Sequence, residues 1–442
     1  MRMSFSPTMF LITGFFWVLA SSVLGLTLYL AMIFGYPMPP YFRLVHVHGT
    51  LVGGVAQIIL GAMLTFIPPL LMTGRDRSDS HPLLFGAVNG GAIILLIGFV
   101  WQNSAMIGVG GVMILFAFLL LFGDAVRQAR SSLVSPPLNL WFYGVALIAL
   151  LAGLGMGEVL VWRGLSQTTL AQGRLAHIHL NLLGFVTLTI VGTMHNFFPT
   201  VLNAGLHSVG LARIVFVVLP AGIITLVAGF FLGGVWVTLT AGGLFLAGTV
   251  LYGYNMLRTW LAAGKPRHAA SDHLLLATFF LTIAVVAGLL VTGNSLEFPP
   301  KVPFGHLHLV AYTHLALIGF MFQTIAGALS HLLPISLALR RVASNKKRGP
   351  YLAALMDIVE WQRPFQVSAL SLGTMGLMLV AALVWQFNLQ STPVRLAGCV
   401  SAGLLIASLL LLTTKAIRLL LCRPVEEART DHPASTKATK AN

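Results

Sequence analysis

Three clusters of histidine stand out among the 14 histidines of this chain, because they lie in or beside strongly apolar segments. Two clusters have the spacing His-x-His, and the third holds a tyrosine where the first histidine of that pair would be. The residues are His46 and His48, then His177 and His179, then His306, His308, Tyr312 and His314. An ionisable side chain in a membrane segment is costly and usually has a functional partner. Neutral imidazole is a common metal ligand, so the clusters predict metal binding.

The His-x-His spacing restricts the kind of site. Residues two apart on a helix point about 200° apart, so one pair cannot readily serve a single metal, but it can reach two cofactors on opposite sides of the helix. Haem fits this pattern, because a flat apolar plate takes axial imidazoles from different helices. Zinc fits less well, since carboxylates and thiolates are lacking at that depth of the expected helices.

The clusters belong to a repeated pattern, His-x4-Gly-x7-Gly-x6-Pro, which starts at His48, His179 and His314. The starts are 131 and 135 residues apart. A chance match of common membrane residues is the alternative, but four fixed residue types in register three times argue against it. Glycine lets a neighbouring helix or a flat cofactor approach the backbone. The glycines given this packing or clearance role are Gly53, Gly61, Gly184, Gly192, Gly319 and Gly327.

The segments that carry these residues are long and apolar. The 442 residues are 57% hydrophobic and only 8% charged, whereas soluble proteins carry about 25% charged residues. About twelve runs are long enough to cross a bilayer, which takes roughly 20 apolar residues. They start near Phe10, Phe42, Leu83, Ala105, Leu138, Leu175, Val209, Val235, Leu274, Phe304, Val367 and Leu396. We therefore predict an all-α membrane protein with about twelve transmembrane helices in three pseudo-repeats of four.

The repeats divide a single transmembrane domain. Each interval between repeat starts holds four helices, which gives one domain over residues 1–421 with repeats of about 9–130, 138–262 and 272–421. The polar segment 422–442 is expected to be a disordered cytoplasmic tail. The mixed apolar and charged stretch 349–363 is open to two interpretations, an interfacial helix or a plain loop.

Charge and cysteine content exclude several classes of protein. Lysine and arginine outnumber aspartate and glutamate by 26 to 11, a formal net charge of +15. The basic residues lie mainly in short loops after the even-numbered helices, so they indicate orientation rather than a nucleic-acid partner. The positive-inside rule places both termini in the cytoplasm, as expected for a bacterial inner-membrane protein surrounded by lipid. Cys399 and Cys422 allow neither a disulfide framework nor a thiolate cluster, and without Cys-x-x-Cys-His covalent c-type haem is excluded.

The repeated helices resemble a known family. Three groups of four helices, with the histidine helix second in each group, resemble subunit I of the haem-copper oxidase superfamily. The His-x-His helix with Gly at +5 and +13 and Pro at +20 is similar to the tenth helix of its cbb-type oxidase and nitric oxide reductase branch. The architectural likeness covers roughly residues 9–421, and the motif covers the three repeated helices. The resemblance implies that His48 and His314 are the axial ligands of a low-spin haem b.

The chain departs from that family at the catalytic positions. Tyr312 stands where the family's tenth helix supplies the ligand of its high-spin haem. His179 matches the copper ligand of the sixth helix, but the His-His pair of the seventh helix is missing. The His-x3-Tyr redox pair is missing as well, because Leu183 occupies the tyrosine position. The resemblance therefore does not extend to copper-dependent oxygen reduction, and whether the chain is an enzyme stays open.

The sequence thus predicts a haem-b membrane redox protein that passes electrons within a respiratory complex, with a cytochrome c or a quinol-linked protein as its partner. The candidates for a second haem are His177, His179, His308 and Tyr312, with His46 and His306 as further candidates or interface residues. A catalytic oxygen or nitric oxide reductase with a rearranged site is one alternative. Another is a sensor or handling protein for nitric oxide, haem or copper. A transporter is the third, although such folds generally repeat in halves rather than thirds.

Three polar residues outside the clusters have two interpretations each. Glu158 would handle protons or lie at the outer interface beside Trp162 and Arg163. His195 and His331 would take part in proton or quinone chemistry, or would lie at the cytoplasmic interface.

Overall fold

The computed structural model describes residues 6–73, 81–161, 166–297 and 299–424, and within these ranges the chain is helical without any strand. Twelve of its helices are long and apolar enough to cross a membrane, which confirms the predicted fold class. They are α1 (Pro7–Phe34), α2 (Tyr41–Leu70), α3 (His81–Val100), α4 (Ser104–Ser131), α5 (Leu138–Val161), α6 (Gln167–Val201), α7 (Val209–Leu232), α8 (Val235–Ala262), α9 (Ala269–Leu296), α10 (His306–Arg341), α12 (Arg363–Leu383) and α13 (Thr392–Leu421). The shorter α11 (Asn345–Glu360) lies between α10 and α12.

Short polar residues mark several helix starts. Asn103, Ser166 and Ser208 precede α4, α6 and α7, and each side chain accepts a hydrogen bond from a main-chain N–H of the first turn. These bonds satisfy donors that have no partner within the helix. Inside the spans the main chain bonds to itself, which is the condition for crossing an apolar layer.

The stretch that the sequence left open, 349–363, is largely helical. α11 buries Tyr351, Leu355 and Val359 against the ends of α10 and α13. Arg341 at the end of α10 donates hydrogen bonds to the Tyr351 hydroxyl and to the Cys422 carbonyl, which fixes all three helices at this end of the bundle. The tail beyond residue 424, together with Trp162 and Arg163, lies outside the described residues.

Helix packing repeats three times along the chain. The first helix of each group packs along the second, as α1 with α2, α5 with α6 and α9 with α10. The third and fourth helices pair in the same way, as α3 with α4, α7 with α8 and α12 with α13. Large apolar side chains such as Phe16, Ile224 and Leu379 are exposed on the outside of the bundle, which suits contact with lipid.

The six repeat glycines lie where the second helix of each group contacts the first. A Cβ atom at any of them would lie 2.4–2.8 Å from an atom of that helix, closer than van der Waals contact allows. The facing residues are Trp17 and Phe10 for Gly53 and Gly61, Ala149 and Phe142 for Gly184 and Gly192, and Phe280 and Leu274 for Gly319 and Gly327. Close helix packing is therefore the role that the structure gives to these glycines.

Each histidine helix changes its winding at the same place. α2, α6 and α10 are α-helical up to His48, His179 and His314, and each continues as a π-helix for eight residues. π-helical turns are rare and frequently accompany functional sites. The sequence pattern did not predict them. The π-helical stretches recur directly after His48, His179 and His314. They therefore lie between two ends of the bundle. One is the histidine end, meaning the ends of α2, α6 and α10 that carry these residues, and the other carries the repeat prolines.

Candidate functional site

Four of the clustered histidines meet as two pairs of rings. The ring of His46 on α2 faces that of His314 on α10, with centroids 6.3 Å apart and an angle of 1° between the ring planes. The ring of His48, two residues further along α2, faces that of His177 on α6, with centroids 6.3 Å apart and an angle of 24°. The two pairs share one spacing although they lie between different helices.

All four rings use Nδ1 for a hydrogen bond to a main-chain carbonyl. The acceptors are Ser21 for His46 (2.7 Å), Val310 for His314 (2.7 Å), Leu44 for His48 (3.0 Å) and Gly153 for His177 (2.8 Å). A carbonyl oxygen only accepts, so Nδ1 carries the proton of each neutral ring and Nε2 keeps its lone pair. A main-chain carbonyl on the far nitrogen is the usual way in which proteins orient a histidine that binds a metal through Nε2.

The ring spacing has a simple geometric meaning. A metal–imidazole nitrogen bond is about 2.0 Å long. With ring bonds of about 1.33 Å, the centre of an imidazole lies about 1.1 Å from its nitrogen. Two imidazoles on opposite sides of one metal ion therefore have centroids about 6.3 Å apart. The angle between the ring planes is free, because each ring can rotate about its own metal bond. Both pairs have this spacing of ring centroids.

A cavity adjoins the first pair. It has an empty volume of about 850 Å³ and is bounded by α1, α2, α10, α12 and α13. His46 and His314 both line it, and the rest of its wall is mainly aliphatic, including Leu26, Leu317 and Leu405. An apolar wall with a few polar groups is the usual lining of a ligand pocket. A flat apolar plate with two axial imidazoles suits this space.

Three glycines outside the predicted pattern pack against these rings and against Tyr312. Gly25 on α1 lies so close to His46 that a Cβ atom there would be 2.3 Å from the imidazole Cε1. Gly157 on α5 has the same relation to His177 at 2.9 Å, and Gly288 on α9 to the Tyr312 hydroxyl at 3.0 Å. These three glycines recur 132 and 131 residues apart. The period of the histidine repeat was therefore a signal that could have found them.

The partners of the rings differ from those expected. The sequence paired His48 with His314, whereas in the structure His314 faces His46 and His48 faces His177. The physical reason is the spacing on α2, since residues two apart project to opposite sides of the helix. His46 is thereby directed towards α10 and His48 towards α6. His46, a further candidate from the sequence, is thus one of the four paired rings.

His179 and Tyr312 occupy the equivalent positions at the third boundary between repeats. His179 donates from Nδ1 to the Leu175 carbonyl at 2.8 Å, as the paired rings do, but its ring packs on Phe230 of α7 with centroids 4.9 Å apart. The Tyr312 hydroxyl lies against Gly288. Among the described residues, no group of three His, Cys, Asp or Glu side chains is arranged to hold a metal ion, so His179 has no such companions there.

His306 and His308 take other roles at the start of α10. His306 is exposed. The Nδ1 of His308 accepts a hydrogen bond from the main-chain N–H of Gly305, so the proton is on Nε2, the opposite tautomer from that of the paired rings. The His308 ring stacks on Trp385, two residues beyond the end of α12, with centroids 4.8 Å apart. The sequence placed His308 beside His177 or His179, but its ring lies against α12 because it caps the first turn of α10.

Glu158, His195 and His331 lie apart from the ring pairs. The Glu158 carboxylate packs against Gly111 of α4, and one of its oxygens is buried without a hydrogen-bond partner. His195 is buried rather than at a surface, its ring lies between Phe142 and Tyr252, and neither ring nitrogen has a partner. His331 is half-buried, with its ring edge against Phe197.

Comparison with models of known protein families gave no match, and a search of the curated proteins gave no significant match. The resemblance to the haem-copper oxidase superfamily stays a prediction.

Proposed function

We propose that this chain is an integral membrane electron carrier that binds haem b between His46 and His314, on the plan of haem-copper oxidase subunit I. The observation that carries the proposal is the ring pair itself. The centroids of the two imidazoles lie 6.3 Å apart, both rings line one apolar cavity, and each ring uses Nδ1 for its hydrogen bond, which leaves Nε2 free to bind. A lone metal ion needs the two rings but not the cavity, whereas a haem needs both.

The chain's own residues would hold and tune the group. The Ser21 and Val310 carbonyls fix both imidazoles in the ligand tautomer and strengthen them as donors. The aliphatic side chains of α10, α12 and α13 give the cavity an apolar lining. When bound, haem supplies a one-electron Fe³⁺/Fe²⁺ couple whose potential depends on the axial ligands and on the apolar surroundings.

Two axial histidines favour electron transfer over catalysis. A haem that activates oxygen or nitric oxide needs one open axial position, and a pair of imidazoles fills both. This argues against a catalytic reductase at this pair. A carrier must also receive and pass on electrons, so the proposal includes a redox partner, a cytochrome c or a quinol-linked protein, within a respiratory complex of the bacterial inner membrane.

The first experiment is a haem assay on the purified protein and its variants. We expect a b-type pyridine haemochrome and a low-spin spectrum that carbon monoxide does not change. His46→Ala and His314→Ala should each abolish the same low-spin signal, because each removes one axial ligand of one haem. His306→Ala is the matched control, since His306 lies on the same helix as His314 but is exposed, and it should keep the full signal.

Two results would contradict this function. One is purified protein with copper or zinc in place of haem. The other is a haem signal that survives both His46→Ala and His314→Ala. Carbon monoxide binding to the reduced wild-type protein, together with gas consumption, would favour the catalytic alternative instead.

A further inference from the structure

A groove opens between the first and last transmembrane helices at one end of the bundle. At the histidine end α1 and α13 are in close contact, since a Cβ atom at Gly398 would overlap the Ile33 side chain. The basic end is the opposite end, which carries Arg340, Arg341 and Lys346. There a groove with an empty volume of about 680 Å³ lies between the two helices, and α10 and α11 complete its walls.

The groove has the length and the position of an acyl chain in one leaflet of a bilayer. Its lining spans residues 11–19 of α1 and 412–420 of α13, which is about 12 Å along each helix. Half of the hydrocarbon layer of a bilayer is about 15 Å thick. Phe16 and Ile417 line the groove and are also exposed on the outside of the bundle, so the groove is open to the surrounding lipid.

The walls of the groove suit a hydrocarbon chain better than a polar ligand. Most of the lining side chains are aliphatic or aromatic. The hydroxyls of Ser330 and Thr413 donate to the Ala326 and Leu409 carbonyls of their own helices, so both donors are already used. The charged residue of the lining is Lys415.

Lys415 is a buried positive charge beside the groove. The residue is 4% exposed, and its ammonium group donates to the side-chain oxygen of Gln366 on α12. In the part of the chain that the structure describes, no carboxylate lies within ion-pair distance of Lys415, and Glu360, whose charge acts on it from further away, is paired with Arg363. The Gln366 amide nitrogen is also buried without a partner. A buried charge without a counter-charge is costly, so this position favours an anion nearby.

Arg340 adds a second positive charge at the mouth of the groove. It follows the lining residue Leu333 by seven positions, so the two share one face of α10 about 10 Å apart along its axis. The exposed Arg340 side chain donates to the Ser6 hydroxyl at the start of α1 at 3.0 Å, and its other N–H groups suit a phosphate. The carboxylate of Asp357 does not compete there, because Asp357 lies two residues before the lining residue Val359 and projects to the other side of α11.

We propose that this groove binds one anionic phospholipid, with an acyl chain between α1 and α13 and the phosphate at Arg340. A zwitterionic lipid would fill the apolar walls equally well, but it would leave the charges of Arg340 and Lys415 without a net counter-charge. The bound lipid closes the gap between the first and last helices, and so holds the two ends of the bundle's chain together. This inference concerns the basic end and does not depend on which ligand the histidines bind.

The experiment compares two lipids on the purified, delipidated protein. Phosphatidylglycerol and phosphatidylcholine with identical acyl chains are titrated in detergent, and binding is followed by native mass spectrometry and by thermal unfolding. We expect one phosphatidylglycerol per chain to bind in preference and to raise the melting temperature. Arg340→Gln should weaken this binding by about fivefold, which corresponds to about 1 kcal/mol for one basic residue beside an anionic lipid. Lys346→Gln is the matched control, because Lys346 is exposed at the same end but does not line the groove, and it should bind as the wild type does.

A second variant tests the groove itself. Ala416→Phe puts a large side chain into the lining and should abolish the bound lipid, whereas Ile224→Phe on the exposed surface of α7 should keep it. Equal binding of the two lipids by the wild-type protein would overturn the proposal. So would full binding in Ala416→Phe, or the same loss of binding in Arg340→Gln and Lys346→Gln. The comparison of the two lipids on the wild-type protein does not depend on the folding of any variant.

Discussion

At the scale of single residues, the site depends on how each imidazole is held. The main-chain carbonyls of Ser21, Leu44, Gly153 and Val310 set the tautomer of the four rings. His308 shows the contrast, because a main-chain N–H donates to its Nδ1 and so moves the proton to Nε2. The same residue type thus keeps Nε2 free at four positions and caps a helix at another.

Gly25 offers a test at this scale. We expect Gly25→Ala to shift or abolish the signal of the haem between His46 and His314, because the added methyl would lie 2.3 Å from the His46 Cε1 and must displace the ring from the Ser21 carbonyl. The measurement is the low-spin spectrum of the purified variant. Gly403→Ala on α13 is the control, since a Cβ atom there meets nothing within 4 Å. An unchanged spectrum in Gly25→Ala would mean that the His46 ring is not held as a ligand.

At the scale of helices, two devices position the histidines. The repeat glycines bring the second helix of each group against the first, which carries the carbonyls of Ser21 and Gly153. The π-helical stretch that follows the second histidine position then changes the winding of α2, α6 and α10. Close packing sets the distance to the neighbouring helix. The change of winding alters the direction in which the residues after His48, His179 and His314 face, relative to the histidines.

The contact between α5 and α6 gives the prediction at this scale. A Cβ atom at Gly192 would lie 2.4 Å from the Phe142 Cβ, so Gly192→Ala should lower the free energy of unfolding by about 1–3 kcal/mol through overpacking. Thermal unfolding in detergent measures the change. Gly243→Ala on α8 is the control, because it meets nothing within 4 Å, and it should be neutral or slightly stabilising. Equal melting temperatures for the two variants would contradict the packing role of the repeat glycine.

At the scale of the whole molecule, three similar groups of helices surround the histidine end, and each paired ring contacts a ring from another repeat. The opposite end is basic, with Arg340, Arg341 and Lys346 close in the chain to the start of α11. Arg341 also anchors the end of α13 through the Leu420 and Cys422 carbonyls. The histidine end and the basic end therefore lie at opposite ends of the same helices.

The orientation in the membrane is the prediction at this scale. The positive-inside rule puts the basic end in the cytoplasm, so a fluorescent protein fused to the C-terminus should fluoresce, and an alkaline phosphatase fused there should be inactive. The paired histidines would then lie in the outer half of the bilayer, where an extracytoplasmic redox partner has access. Active phosphatase at the C-terminus would reverse the orientation and put the partner on the cytoplasmic side.

Much of the fold was determined by the sequence alone. Twelve apolar runs specify twelve helices because an apolar layer requires every main-chain polar group to bond within the segment. The period of the His, Gly and Pro pattern indicated three groups of four helices, and the cost of burying imidazoles singled out the candidate residues. These inferences depend on composition and local spacing, which the sequence contains in full.

The tertiary structure decided which histidines meet. A spacing of two on α2 shows that His46 and His48 face opposite ways, but not which neighbouring helix lies on each side. That choice depends on the cyclic order of the repeats and on contacts far apart in the chain, such as Gly25 with His46 and the Gly153 carbonyl with His177. The partners of His314 and His48 therefore became known only when all three repeats were assembled.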